Sequence, residues 1–87
     1  MDANGERLPS ARMVVGQQVR RWRVRRHLSQ EGLARAVGVH QASISNYEAG
    51  RRDLPVSTMI RIADVLQVDL NELLNHATRR AVIESAD

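Results

Sequence analysis

At 87 residues the chain has room for one small domain, so a separate catalytic or ligand-sensing domain is not expected. It contains no cysteine, which excludes disulfides, thiolate chemistry and cysteine-based zinc sites and suits a reducing cytoplasm. All 13 basic residues are arginine; ten lie between Arg12 and Arg61 against three acids, Glu31, Glu48 and Asp53, so this stretch carries +7 where the whole chain carries +3.

A basic stretch joined to an acidic remainder fits a polyanionic partner, and it equally fits a solvated helix face. No apolar run approaches the roughly 20 residues of a membrane span. The polar start from Met1 to Arg12 does not read as a secretory signal, and a cytoplasmic location is expected.

In chain order, residues 1–10 read as a flexible arm, 11–76 as the domain and 77–87 as a helical extension or tail. Helical periodicity dominates and hairpin signals are absent. A first helix, roughly Ala11 to Arg26, is capped by Ser10 and places Val15, Val19 and Trp22 on one stripe. Arg20, Arg21 and Arg25 point away from it; with Arg26 they form a cluster suited either to flanking a polyanion or to solubility. Ser29 is an N-cap for a second helix, Gln30 to Val37, with Leu33, Ala34 and Val37 inward and Gly38 as its stop. Gly32 within it costs about 1 kcal/mol relative to alanine.

Only Val39 and His40 separate this helix from a third, about 41–49, which Gly50 ends. So short a connection makes the two helices cross steeply, the helix-turn-helix arrangement. Arg51 to Pro55 is a loop. A fourth helix, Ser57 to Leu66, turns Met59, Ile62, Ala63 and Leu66 inward. Asp69 and Glu72 then have the spacing of a capping box that opens a fifth helix carrying Leu70, Leu73 and Leu74. Ala77, Ala81 and Val82 continue its apolar stripe.

At 100° per residue the third helix divides into two faces. Ser43, Ile44, Tyr47 and Glu48 occupy one, and Gln41, Ala42, Ser45 and Asn46 the other. Gln and Asn can pair bidentately with adenine in a major groove, and an alanine methyl can lie against the thymine methyl. Chemistry alone leaves an ordinary exposed face equally open. His27, His40 and His76 lack metal-ligand spacing and suitable companions, and no nucleophile or paired-carboxylate arrangement stands out. Neither a metal, a cofactor nor a catalytic site is expected.

The stretch from Gln30 to Ala49 resembles the helix-turn-helix signature of the Xre/Cro, or lambda-repressor-like, family. The likeness is carried by Ser29-Gln30-Glu31, Leu33-Ala34, Val37-Gly38-Val39, Ile44, Ser45, Glu48 and Gly50. Arg23 before the motif, and Ile62 to Leu66 with Asp69 to Leu74 after it, agree in spacing. His27, where the family favours glycine, and Gly32, where it favours a helix former, depart from the pattern.

The resemblance implies an all-α, compact five-helix domain whose third helix enters the major groove of double-stranded DNA. It implies base reading by Gln41, Ala42 and Asn46, with Ser45 and His40 as further candidates. Phosphate contacts fall on Ser29, Gln30, Ser43, Arg51, Arg52 and Arg23, and Arg23 with Glu48 corresponds to an ion pair that orients the third helix. The expected protein is a transcriptional repressor that binds a palindromic operator as a homodimer, with Leu74, Ala77, Ala81, Val82 and Ile83 as candidate dimer contacts. The alternative is an antitoxin that binds a toxin and represses its own operon. A toxin or RNA polymerase is the protein partner either reading would allow.

Overall fold

A computed structural model describes residues 10–74, which form five helices and, among the described residues, no strand. The helices are α1 (Ala11–Arg25), α2 (Gln30–Val37), α3 (Gln41–Glu48), α4 (Val56–Leu66) and α5, described over 70–74. Each starts close to where the sequence places it. Ser10 Oγ accepts the Met13 N–H at 3.3 Å, and Ser29 Oγ accepts the Gly32 N–H at 2.9 Å, so two helices open on side-chain caps. α4 starts at Val56, one residue before the expected Ser57, with Pro55 at the cap position.

The inward faces meet in one core of Val15, Val19, Leu33, Ala34, Val37, Ile44, Tyr47, Met59, Ile62, Ala63, Leu66 and Leu73. Val19, Leu33, Ile44, Ile62, Leu66 and Leu73 are fully buried. Burying each such aliphatic side chain contributes roughly 1.5–3 kcal/mol, which outweighs the weak intrinsic stability of eight-residue helices. α3 is held between α1 and α2, while α4 backs α2 and part of α1.

Four helix ends share one turn. At α1, His27 has φ +60° and the Leu28 N–H reaches the Arg23 carbonyl at 3.1 Å. At α2 and α3 the left-handed residues are Gly38 and Gly50, and at α4 it is Gln67, with φ +57°. Arg26 reinforces this last end: its Nε donates to the Leu66 carbonyl at 2.7 Å, placing a cation at the negative end of α4.

One expectation is corrected. The Asp69–Glu72 capping box does not form through side chains; the turn is closed by the Glu72 N–H donating to the Asp69 carbonyl at 2.8 Å. Both side chains are exposed, so water can take the bonds the box would have made. Leu74, a candidate dimer contact, is half-buried and packs in part against the domain's own core. Ala77, Ala81, Val82 and Ile83, the 77–87 extension and all but the last residue of the 1–10 arm lie outside the described residues.

Candidate nucleic-acid interface

The exposed side of α3 begins with its buried side. Ile44 has no exposed surface, and Tyr47 and Glu48 are also buried, which turns Gln41 and Ala42 to solvent and leaves Ser43, Ser45 and Asn46 partly exposed. A glycine allows α3 to lie this close to α1. A Cβ on Gly16 would sit 2.1 Å from the Tyr47 carbonyl oxygen and 3.0 Å from that of Glu48. Nothing in the periodicity singles Gly16 out; the available signal is a glycine in a helix interior, where it is normally unfavourable.

Glu48 is the polar counterpart of this close approach. Its side chain is 4% exposed and that of Arg23 is 12% exposed. Arg23 Nε donates to Glu48 Oε2 at 2.6 Å, and Nη2 donates to Oε1 at 3.1 Å, a two-pronged pairing. Arg23 Nη1 donates to the Leu28 carbonyl at 2.8 Å, and Gln30 Nε2 donates to Glu48 Oε1 at 3.0 Å. One carboxylate therefore ties α1, the α1–α2 turn and the start of α2 to the end of α3. Each guanidinium nitrogen of Arg23 makes one bond, and Nη1 and Nη2 each keep a second N–H, so holding Glu48 leaves donors for the phosphate contact that the family resemblance implies. The Gln30 bond was not foreseen, because spacing along the chain cannot reveal a partner 18 residues away.

The remaining residues surround α3. His40 is exposed at its N-cap position and makes no side-chain capping bond. Ser29 is exposed and Gln30 partly exposed at the start of α2, whose first turn leaves backbone N–H groups for an acceptor. Arg51 and Arg52 are exposed just beyond α3, and Arg51 Nη1 donates to Asn46 Oδ1 at 3.2 Å.

The arginine cluster of α1 separates by role. Arg25 and Arg26 lie over the Trp22 ring, at 5.1 and 5.2 Å from its centroid, and Arg26 also caps α4. Arg20 instead lines a cleft with Gln30, Ser45 and Ala49, beside the exposed face of α3. No helix among the described residues is long and apolar enough to cross a membrane.

This arrangement, a short helix locked from behind with small polar groups outward and arginines around it, is that of a DNA-binding module. A helix-turn-helix family model, HTH_3, matches residues 19–73, and the chain belongs to that family of transcriptional regulators, which is not an enzyme class. An uncharacterized transcriptional regulator in the ATPase CF(0) region of Rhodospirillum rubrum is 38% identical over 65 residues. That match covers 75% of this chain and 60% of the relative's length.

Among solved structures, the restriction-modification controller protein C.AhdI from Aeromonas hydrophila is 29% identical with a TM-score of 0.69. The match covers 71% of this chain and 94% of that one. A hypothetical transcription factor, NHTF, from Neisseria is 33% identical with a TM-score of 0.70, over 74% of this chain and 72% of the other.

Proposed function

We propose that the chain is a sequence-specific repressor that binds a palindromic site on duplex DNA as a homodimer. The observation that carries this reading is the locked α3: Glu48 and Gly16 hold its back, while Gln41, Ala42, Ser45 and Asn46 face outward as a set of small groups. Gln41, Ala42 and Asn46 read base edges, with Ser45 and His40 beside them. Ser29, the backbone start of α2 at Gln30, Ser43, Arg51 and Arg52 hold phosphates and set the register. Arg23 positions α3 through Glu48. Arg20, in the cleft beside Ser45, adds charge at the edge of the same surface.

The dimer follows from the size of the reader. An eight-residue helix spans only a few base pairs, so useful specificity needs two copies about 34 Å apart, one turn of duplex. Occupying such a site would block polymerase, which makes repression the simplest outcome. Selection of bound fragments from a random duplex library, with the mass of the complex measured alongside, tests both parts. The expected result is a palindrome with half-sites one turn apart and two chains per site; a single asymmetric site holding one chain would overturn the dimer.

Gln41→Ala and Asn46→Ala should each cost about 1–3 kcal/mol on the selected site and change random-sequence binding little. Equal losses on both DNAs would remove these residues from base reading.

A further inference from the structure

α3 ends in a turn that carries a cation back onto one of its own outward side chains. Gly50 has φ +73°, its N–H donates to the Tyr47 carbonyl at 3.1 Å, and the Arg51 N–H donates to the Asn46 carbonyl at 3.0 Å. This pair of bonds makes a Schellman turn, which fixes where the chain leaves the helix. The turn is braced from behind, because a Cβ on Gly50 would lie 2.5 Å from Met13 Cγ. From that fixed point Arg51 Nη1 donates to Asn46 Oδ1 at 3.2 Å.

The chemistry of that bond bears on what Asn46 can read. Bidentate reading of adenine needs both ends of the amide, its oxygen accepting from N6 and its nitrogen donating to N7. Arg51 takes one of the two lone pairs of that oxygen, so adenine N6 would have to donate to the other beside a guanidinium cation, whereas a base acceptor needs only the amide's N–H donors. Those match a base presenting acceptors alone in the major groove, O6 and N7 of guanine or O4 of thymine.

We propose that Arg51 sets the base preference of Asn46, holding its amide oxygen so that it favours a guanine or thymine acceptor over adenine. The inference rests on the reading of α3 as the base-reading helix. Arg51 acts here as a positioning residue, and its Nε and Nη2 remain able to donate to a phosphate, so the clamp and a backbone contact coexist. Arg52 supplies the internal control. It is equally a cation in the same exposed loop, yet among the described residues it makes no bond to Asn46.

The test selects bound duplexes from a random library with the full chain and with Asn46→Ala, Arg51→Ala and Arg52→Ala. Wild type should prefer guanine or thymine at one position of each half-site, and Asn46→Ala should flatten that position. Arg51→Ala should move the preference there toward adenine by roughly tenfold, within the range of one good base contact. Arg52→Ala should weaken binding on every sequence, lower the salt slope by about 1 and leave the preference unchanged. If Asn46→Ala flattens no position, base reading by Asn46 falls and the clamp with it. If Asn46→Ala flattens a position at which wild type already takes adenine, or at which Arg51→Ala changes nothing, the clamp alone is overturned.

Discussion

Gly16→Ala should unseat α3. The added Cβ would lie 2.1 Å from the Tyr47 carbonyl oxygen, where ordinary contacts begin at 3.4 Å, so one backbone must retreat by more than 1 Å. The obstacle is main chain, and no rotamer change relieves it. Tyr47 and Ile44 are buried on the same turn of α3, so the retreat also opens their packing. Overpacking of this kind costs about 1–3 kcal/mol and sometimes more, against a gain of about 1 kcal/mol in helix propensity. With the approach this close, the upper end of the range applies and the net loss is about 2 kcal/mol.

In a domain of this size that lowers the melting temperature by roughly 10 °C, readable by circular dichroism at 222 nm. Gly32→Ala makes the same chemical change in α2, where the nearest atom is the Ser29 side-chain oxygen at 3.2 Å. Its propensity gain is offset by crowding of the cap, and its melting temperature should stay close to wild type. If Gly16→Ala melts at or above wild type, the α1–α3 approach does not depend on a bare Cα and the argument is refuted.

Two further perturbations probe the support of α3 and the helix ends. Arg23→Ala leaves the Glu48 carboxylate buried without its main partner and should cost about 3–5 kcal/mol in a urea titration, whereas replacing both by Arg23→Met and Glu48→Leu should recover most of the loss. A double variant as unstable as the single would show that the pair contributes more than mutual compensation of two buried charges. His27→Gly relieves a non-glycine residue at φ +60° and should raise stability by about 0.5–1 kcal/mol, the strain relieved exceeding the extra freedom of glycine in the unfolded chain. An unchanged or lower melting temperature would place a compensating contact at the histidine ring.

Much of the fold is legible locally, because its signals act over three or four residues. Ser10 and Ser29 mark helix starts, and Gly38 and Gly50 mark ends, since each answers the unpaired backbone groups of its own helix. The ends before His27 and Gln67 also fall where the sequence places them, but not by a visible turn residue. Neither residue advertises a left-handed conformation; at Gln67 it accompanies the Arg26 guanidinium bonded to the Leu66 carbonyl. The Asp69–Glu72 box shows the opposite failure, a correct local pattern whose exposed side chains leave the turn to the backbone.

The sequence by itself determined the helix order, the inward residues and the two faces of α3, because helical periodicity and capping are properties of neighbouring residues. It also pointed, through the family pattern, to the Arg23–Glu48 pair. Only the tertiary structure decided how α3 is seated: the bare Cα of Gly16 under Tyr47, the Gln30 amide on Glu48 and the Arg51 guanidinium on Asn46. It decided too that Arg25 and Arg26 serve Trp22 and α4 while Arg20 lines the cleft beside Ser45. Except for Arg51 on Asn46, which the Schellman turn at Gly50 brings together, and Arg25 and Arg26 over Trp22, three and four residues along from it, these contacts join different helices. Their distances are set by how the helices pack, which no periodicity along the chain encodes.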